Sequence, residues 1–267
     1  MSPARNVRKM SIATSLPSFD LTGKVAVVTG GSRGIGRSIV LGYAAAGADV
    51  VIASRKIDNC ESVAAEVRER FGRRALAVAT HVARWDECDR LVDTVYDTFG
   101  RCDVFVNNAG LSPLYPDLAS ITEDYFDKVV GINLKGPFRL GALVGTRMAA
   151  GDGGSIINVS TIGSLRPSGN ELVYACAKAG LNALTIGLAD AFGPKVRSNG
   201  ILPGGVRTDI TAVWPPEMFA SAAAVPLGRI GEADDFVGPA LWLATEASAY
   251  VTGVLLRVDG GAFRQMS

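Results

Sequence analysis

V-A-V-V-T-G-G-S-R-G-I-G, residues 25–36, is the stretch whose reading decides the fold. A short, nearly continuous apolar run leads into a glycine-rich turn, and an amphipathic segment over 35–46 follows at once. A run of this kind suits a strand buried on both faces, as in a parallel sheet. The glycines let a pyrophosphate approach the backbone at a helix N-terminus, where unpaired N–H groups and the helix dipole favour negative charge. A β-carbon would block that approach. Gly30, Ser32, Arg33, Gly34, Ile35 and Gly36 are therefore candidate cofactor contacts. By itself such a turn also fits a plain strand-to-helix junction, and flavin enzymes and methyltransferases use related ones.

Working outward, strands over 25–28, 50–53, 75–80 and 104–106 alternate with helices over 35–46, 59–70 and 86–99. Further helices are expected over 123–130, 134–150, 174–191 and 234–244, with strands over 156–159, ending near 202, and over 254–258. This alternation predicts an α/β fold built on a parallel sheet with crossover helices. The segment 203–226 holds four prolines and should be irregular. Residues 1–18 read as a flexible tail and 19–267 as a single dinucleotide-binding domain.

Twenty-seven Lys and Arg against 26 Asp and Glu leave no basic surplus for a polyanion, so nucleic acid is not an expected partner. Cys60, Cys88, Cys102 and Cys176 form no C-x-x-C pair, and His81 is the single histidine; no metal site is expected. The N-terminus lacks the apolar run of a secretion signal, and no stretch reaches the roughly 20 uninterrupted apolar residues that cross a bilayer. A cytoplasmic protein without a membrane partner is the expectation.

The second strand ends in A-S-R-K, residues 53–56, where an acid would ordinarily hold the 2′-hydroxyl of NAD. Ser54 can donate to a phosphate and Arg55 can pair with it, with Arg33 adding charge, so NADP(H) is expected in preference to NAD(H), which remains possible. The plainer reading of Arg55 and Lys56 is a pair of solvated charges. In Y-A-C-A-K, Tyr174 and Lys178 stand four apart, on one face of a helix. A tyrosine pKa of about 10 is high for proton exchange at neutral pH, and a neighbouring ammonium and an oxidised nicotinamide would both stabilise the phenolate. Taken alone, such a pair is common on surface helices.

Taken together, the turn at 29–36, N-N-A-G at 107–110, I-N-V-S at 157–160, Y-A-C-A-K at 174–178, L-P-G-G-V-R-T at 202–208 and V-D-G-G at 258–261 change that. From about residue 19 to 262 the chain resembles the short-chain dehydrogenase/reductase family, and is similar to its NADP-preferring, 3-oxoacyl reductase-like members. The resemblance implies one Rossmann-type, doubly wound parallel sheet of about seven strands in the order 3-2-1-4-5-6-7, with helices on both faces. The resemblance implies that Tyr174 is the catalytic acid or base, that Lys178 binds the nicotinamide ribose and lowers the tyrosine pKa, and that Asn133 supports a proton relay to the lysine. It also implies cofactor contacts at Asn108, Ala109 and Gly110 and at Pro203, Gly204, Val206 and Thr208, and a homotetramer or homodimer.

Two positions depart from the family pattern. Thr161 stands thirteen residues before Tyr174 in place of the usual serine, and it is preferred to the adjacent Ser160 as donor to the substrate oxygen. His81, followed by Val82, occupies the slot of an aspartate near adenine, where it is read as structural or adenine-facing. The implied reaction is reduction of a ketone or oxidation of a secondary alcohol. Reduction of an enoyl thioester, or cofactor binding without turnover as a sensor or scaffold, are the alternatives. The substrate wall is expected from 111–116 and 203–226, including Trp214, Met218 and Phe219, which points to a small hydrophobic substrate.

Overall fold

A computed structural model describes residues 18–207 and 225–263. The chain begins with β1 (Val25–Thr29), α1 (Gly34–Ala45), β2 (Asp49–Ser54), α2 (Ile57–Phe71), β3 (Ala75–Ala79), α3 (Trp85–Phe99) and β4 (Val104–Asn107). It continues through α4 (Glu123–Val130), α5 (Gly136–Ala150), β5 (Gly154–Val159), α6 (Leu172–Phe192) and β6 (Val196–Pro203). Short strands β7 (Val206–Arg207) and β8 (Gly231–Glu232), then α7 (Val237–Ala244) and β9 (Leu255–Val258), complete the described residues.

Seven strands form one parallel sheet in the order β3-β2-β1-β4-β5-β6-β9, which is the expected winding with β9 as the seventh strand. Strand alternation sorts the core onto two faces. Ala26, Val28, Val50 and Ile52 pack with Ile39, Val40 and Tyr43 of α1, Val63 of α2 and Leu243 of α7. Val25, Val27, Val51, Phe105 and Ile156 pack with Leu91 of α3, Leu140 and Val144 of α5 and Leu188 of α6. Each large apolar side chain buried this way contributes about 1.5–3 kcal/mol. A polar chain runs through the core: Asn107 donates to Asn158 Oδ1 at 2.9 Å, and Asn158 donates to Thr185 Oγ1 at 3.0 Å, tying β4, β5 and α6 together.

Two features differ from the sequence expectation. The helix expected over 134–150 begins in a π-helical turn, Gly131–Lys135, that joins α4 to α5 without a break. At the start of the segment expected to be irregular, β7 pairs with β8, which lies beyond that segment, in a second, two-stranded sheet. α6, at 21 residues, is long and apolar enough to cross a membrane by length and composition, although Lys178, Asn182 and Thr185 interrupt it and are buried against the protein's own core. The tail over 1–17 lies outside the described residues, as do Thr208, Trp214, Met218 and Phe219.

Candidate active site

A cleft of about 430 Å³ opens at the carboxyl ends of the strands, where the strand order reverses between β1 and β4. This is where open α/β sheets bind ligands. Segments after β1 to β6 all reach it. Gly30, Ser32, Arg33, Gly34 and Ile35 line it from the first turn; Ser54 and Arg55 follow β2, and His81 and Val82 follow β3. Asn108, Ala109 and Gly110 come from the end of β4, Thr161 from beyond β5, Tyr174 and Lys178 from α6, and Pro203, Gly204 and Val206 from the end of β6.

The glycine turn is built for close approach. Gly30 takes a φ of +65°, and a Cβ there would meet Ala109 Cα and Asn108 Nδ2 at 2.9 Å. Gly36 lies beneath the turn rather than in the cleft; a Cβ on it would run into the Gly30 carbonyl and Asn108 Nδ2. Asn108 holds this arrangement by donating to the carbonyls of Thr29 at 2.9 Å and Gly30 at 3.2 Å. The cradle stays open because only glycine leaves it so. Arg33, Arg55 and Lys56 are exposed at this end, with no ion-pair partner among the described residues.

At the other end, Lys178 is 2% exposed, and its Nζ donates to the Val159 carbonyl at 2.7 Å and stands 5.7 Å from the centre of the Tyr174 ring. Asn133 is fully buried one layer behind. Its amide donates to the carbonyls of Val129 at 2.9 Å and Leu111 at 2.7 Å, and its Oδ1 accepts from the Leu111 N–H at 3.2 Å. The π-helical turn is thus stitched to the loop after β4. A Cβ on Gly110 would meet Asn133 Oδ1 at 3.3 Å and Lys178 Nζ at 3.8 Å, so the asparagine and the lysine flank the same glycine.

A family model described as Enoyl-(Acyl carrier protein) reductase matches residues 30–262. The chain is 37% identical over 250 residues to the short chain dehydrogenase/reductase astE of Aspergillus oryzae, covering 91% of this chain and 96% of that protein. The chain belongs to the short-chain dehydrogenase/reductase family. It is 40% identical over 251 residues to an L-rhamnose 1-dehydrogenase (NAD(P)(+)) of Azotobacter vinelandii, covering 91% and 98% of the two chains. Among solved structures it is similar to a blue fluorescent protein from a metagenomic library in complex with NADPH, with TM-score 0.86, 33% identity and coverage of 92% and 100%. As a member of this family the protein is an oxidoreductase.

Within this short-chain dehydrogenase/reductase the two unusual positions are distinct in geometry. Ser160 turns inward: it is buried, and its hydroxyl donates to the Lys178 carbonyl at 3.3 Å. Thr161 is half-buried, and its Oγ1 accepts from the Gly163 N–H at 3.1 Å, so its own proton is not used in that bond. His81 accepts from the Ala83 N–H through Nδ1 at 3.3 Å, while its backbone N–H donates to Glu87 Oε2 at 2.6 Å.

The protein does not by itself acidify the phenol, contrary to the sequence expectation. Burial in the cleft wall pushes the Tyr174 hydroxyl well above its usual range, and the Glu171 carboxylate pushes it further the same way. Burial also drives the Lys178 ammonium down to about 7. Desolvation penalises the charged form of each group.

Sequence reasoning missed Lys56 and Asn59 beyond β2, Ile132 in the π-helical turn and Glu171 in the wall. Glu171 precedes Tyr174 by three residues, the spacing of neighbours on a helix face, and that was the available signal. The described wall beside Tyr174 carries Ser112, Thr161 and Glu171 as well as Leu111, so it is more polar than expected from residues 111–116 and 203–226.

Proposed function

We propose that this oxidoreductase moves a hydride between NADP(H) and the carbon of a ketone or secondary alcohol, with Tyr174 supplying or taking the proton. The observation that carries this reading is the placement of Tyr174 and the buried Lys178 side by side in the wall of a cleft whose far end is a glycine cradle flanked by exposed cations. The cradle fits a pyrophosphate, and Ser54, Arg55 and Arg33 fit a 2′-phosphate. NADPH bound there would supply the hydride. The residues do the rest: Thr161 donates to the substrate oxygen, Tyr174 passes its proton to that oxygen in reduction, and Lys178 holds the nicotinamide ribose. Asn133, hydrogen-bonded to Leu111 behind the cleft wall, supports the proton relay to the lysine. The match to an enoyl reductase family model favours reduction of a carbon–carbon double bond next to a thioester as the second reading. Nicotinamide absorbance with ketones, secondary alcohols and enoyl thioesters decides between them.

Two outcomes test the assignment. NADPH should exceed NADH in kcat/KM by at least about tenfold, since a charge-assisted hydrogen bond to the 2′-phosphate is worth roughly 1.5–3 kcal/mol, and Arg55→Ala should remove most of that margin. Equal use of NADH by the unaltered enzyme overturns it. Thr161→Ala should lower kcat by about a hundredfold, within the range for loss of one preorganised donor, with cofactor affinity unchanged. Ser160→Ala should act mainly on thermal stability; full activity in Thr161→Ala with none in Ser160→Ala would reverse the roles. The reading also carries a homotetramer or homodimer packed through α5 and α6, supported by the exposed Phe138 and Ile186 on those helices.

A further inference from the structure

Glu171 is the one acidic side chain lining the cleft among the described residues. It sits at the N-cap of α6, three residues before Tyr174, but its carboxylate serves no capping hydrogen bond. It turns toward Gly163, where an added Cβ would meet its Oε1 at 2.5 Å, so this glycine leaves the space the carboxylate occupies two residues beyond Thr161. Burial raises the Glu171 carboxyl above its ordinary range, and the charge is felt at Tyr174.

The segment carrying Glu171 is held in place. Tyr115 donates through its hydroxyl to the Gly169 carbonyl at 2.6 Å and accepts from the Leu172 N–H at 2.7 Å, clamping the entry to α6 against the loop after β4. Tyr125 in turn donates to the Pro113 carbonyl at 2.5 Å and meets the Tyr115 ring edge-on at 5.7 Å. A partly desolvated carboxylate fixed in this way, with no hydrogen-bond or ion-pair partner among the described residues, is costly unless something donates to it.

We propose that Glu171 is a specificity-determining residue that accepts hydrogen bonds from hydroxyl groups flanking the reacting carbon, so that the site takes neutral polyhydroxylated substrates, sugars or polyols. A substrate with a carboxylate at that place is turned away by like charge. The proposal rests on the reading that Thr161 and Tyr174 hold the reacting oxygen; a hydroxyl one or two carbons away then lies toward Glu171. Donation to the carboxylate also disperses the charge that opposes phenolate formation at Tyr174, so a hydroxylated substrate eases the proton transfer it needs. An apolar alcohol does not. Hydroxyls fit better than an ammonium, which would enter beside the buried Lys178.

The test measures binding apart from turnover. Calorimetry on the full chain saturated with NADP+, in a Tyr174→Phe background, is run with a panel of neutral hexoses, 6-deoxyhexoses and alditols, their aldonates, 2-amino alcohols and cyclohexanol. At least one neutral polyol should bind about tenfold or more tighter than its aldonate, and Glu171→Leu should cost that polyol about tenfold, the worth of a hydrogen bond to a charged group. Cyclohexanol and NADP+ affinities should be unmoved by Glu171→Leu, and Glu171→Gln, which keeps an acceptor, should retain the polyol and admit the aldonate. Aldonates or amino alcohols binding as tightly as polyols, or Glu171→Leu weakening every ligand alike, would overturn the proposal. Thermal melts of both variants identify a misfolded protein, in which case Glu171→Gln alone decides by its aldonate to polyol ratio. Binding that follows this pattern in a chain that turns over no ketone or alcohol would sink the proposed reaction and leave the role of Glu171 standing.

Discussion

Tyr174→Phe is expected to cut kcat by at least about a thousandfold, inside the 10²–10⁴ range for removal of a positioned general acid or base, while leaving the NADP(H) dissociation constant within a factor of about three. The phenyl ring fills the same space, so packing against Lys178 survives; only the exchangeable proton is lost. The pH dependence should distinguish the two directions of reaction. The protein holds the phenol well above its usual range through burial first and Glu171 second. A raised pKa keeps the neutral phenol populated at neutral pH, so reduction, which needs the proton, should be flat there and fall only under strongly alkaline conditions. Oxidation needs the phenolate and should climb with pH, helped by a positively charged nicotinamide ring nearby. Steady-state rates in both directions from pH 6 to 10 provide the measurement. A Tyr174→Phe enzyme with full turnover, or an oxidation rate that falls as pH rises, would remove Tyr174 from the chemistry.

Much of this site was legible in the residues, for identifiable reasons. The apolar run from Val25 reads as a buried strand and forms one, and the cleft does open on the glycine turn that follows it. The parallel sheet followed from short apolar strands alternating with longer amphipathic segments, and its order from the family resemblance. What escaped depends on tertiary contact. Over the five residues Gly131–Lys135 a π-helical turn has nearly the same apolar spacing as an α-helix, so only the backbone hydrogen bonding of the folded chain reveals it. The two-residue strands β7 and β8 are too short to carry any periodicity. Glu171 looks like an ordinary charged residue ahead of a helix until the fold brings Gly163 under it. The Tyr174 and Lys178 pair was found by spacing, yet spacing carries no information on desolvation, and desolvation sets the direction of both shifts.

Lys178→Met should abolish most activity and at the same time make the protein more stable at neutral pH. Lys178 is 2% exposed, and among the described residues its ammonium donates one hydrogen bond, to the Val159 carbonyl at 2.7 Å, and has no carboxylate partner. Burial therefore depresses its pKa from an ordinary 10.5 to about 7. The unfolded chain keeps the higher value and binds more protons between these limits, so stability rises with pH from about 7 to 10.5, the reverse of a lysine that gains an acidic partner. At about 1.36 kcal/mol for each tenfold in proton affinity, holding this amine inside the protein at pH 7 costs roughly 4 to 5 kcal/mol. Methionine fills a similar volume without the charge, though it leaves the Val159 carbonyl short of a donor at a cost of about 1–3 kcal/mol. The net gain should be about 2 kcal/mol, or a Tm higher by several degrees for a chain of this size. Denaturant melts at pH 7 and pH 10 test the sign: the unaltered protein should become more stable at the higher pH by a margin that Lys178→Met lacks. An equal pH response in the two proteins would mean that the ammonium is not desolvated, and a Lys178→Met enzyme with undiminished turnover would mean that the amine is kept for something other than the hydride transfer proposed for this cleft.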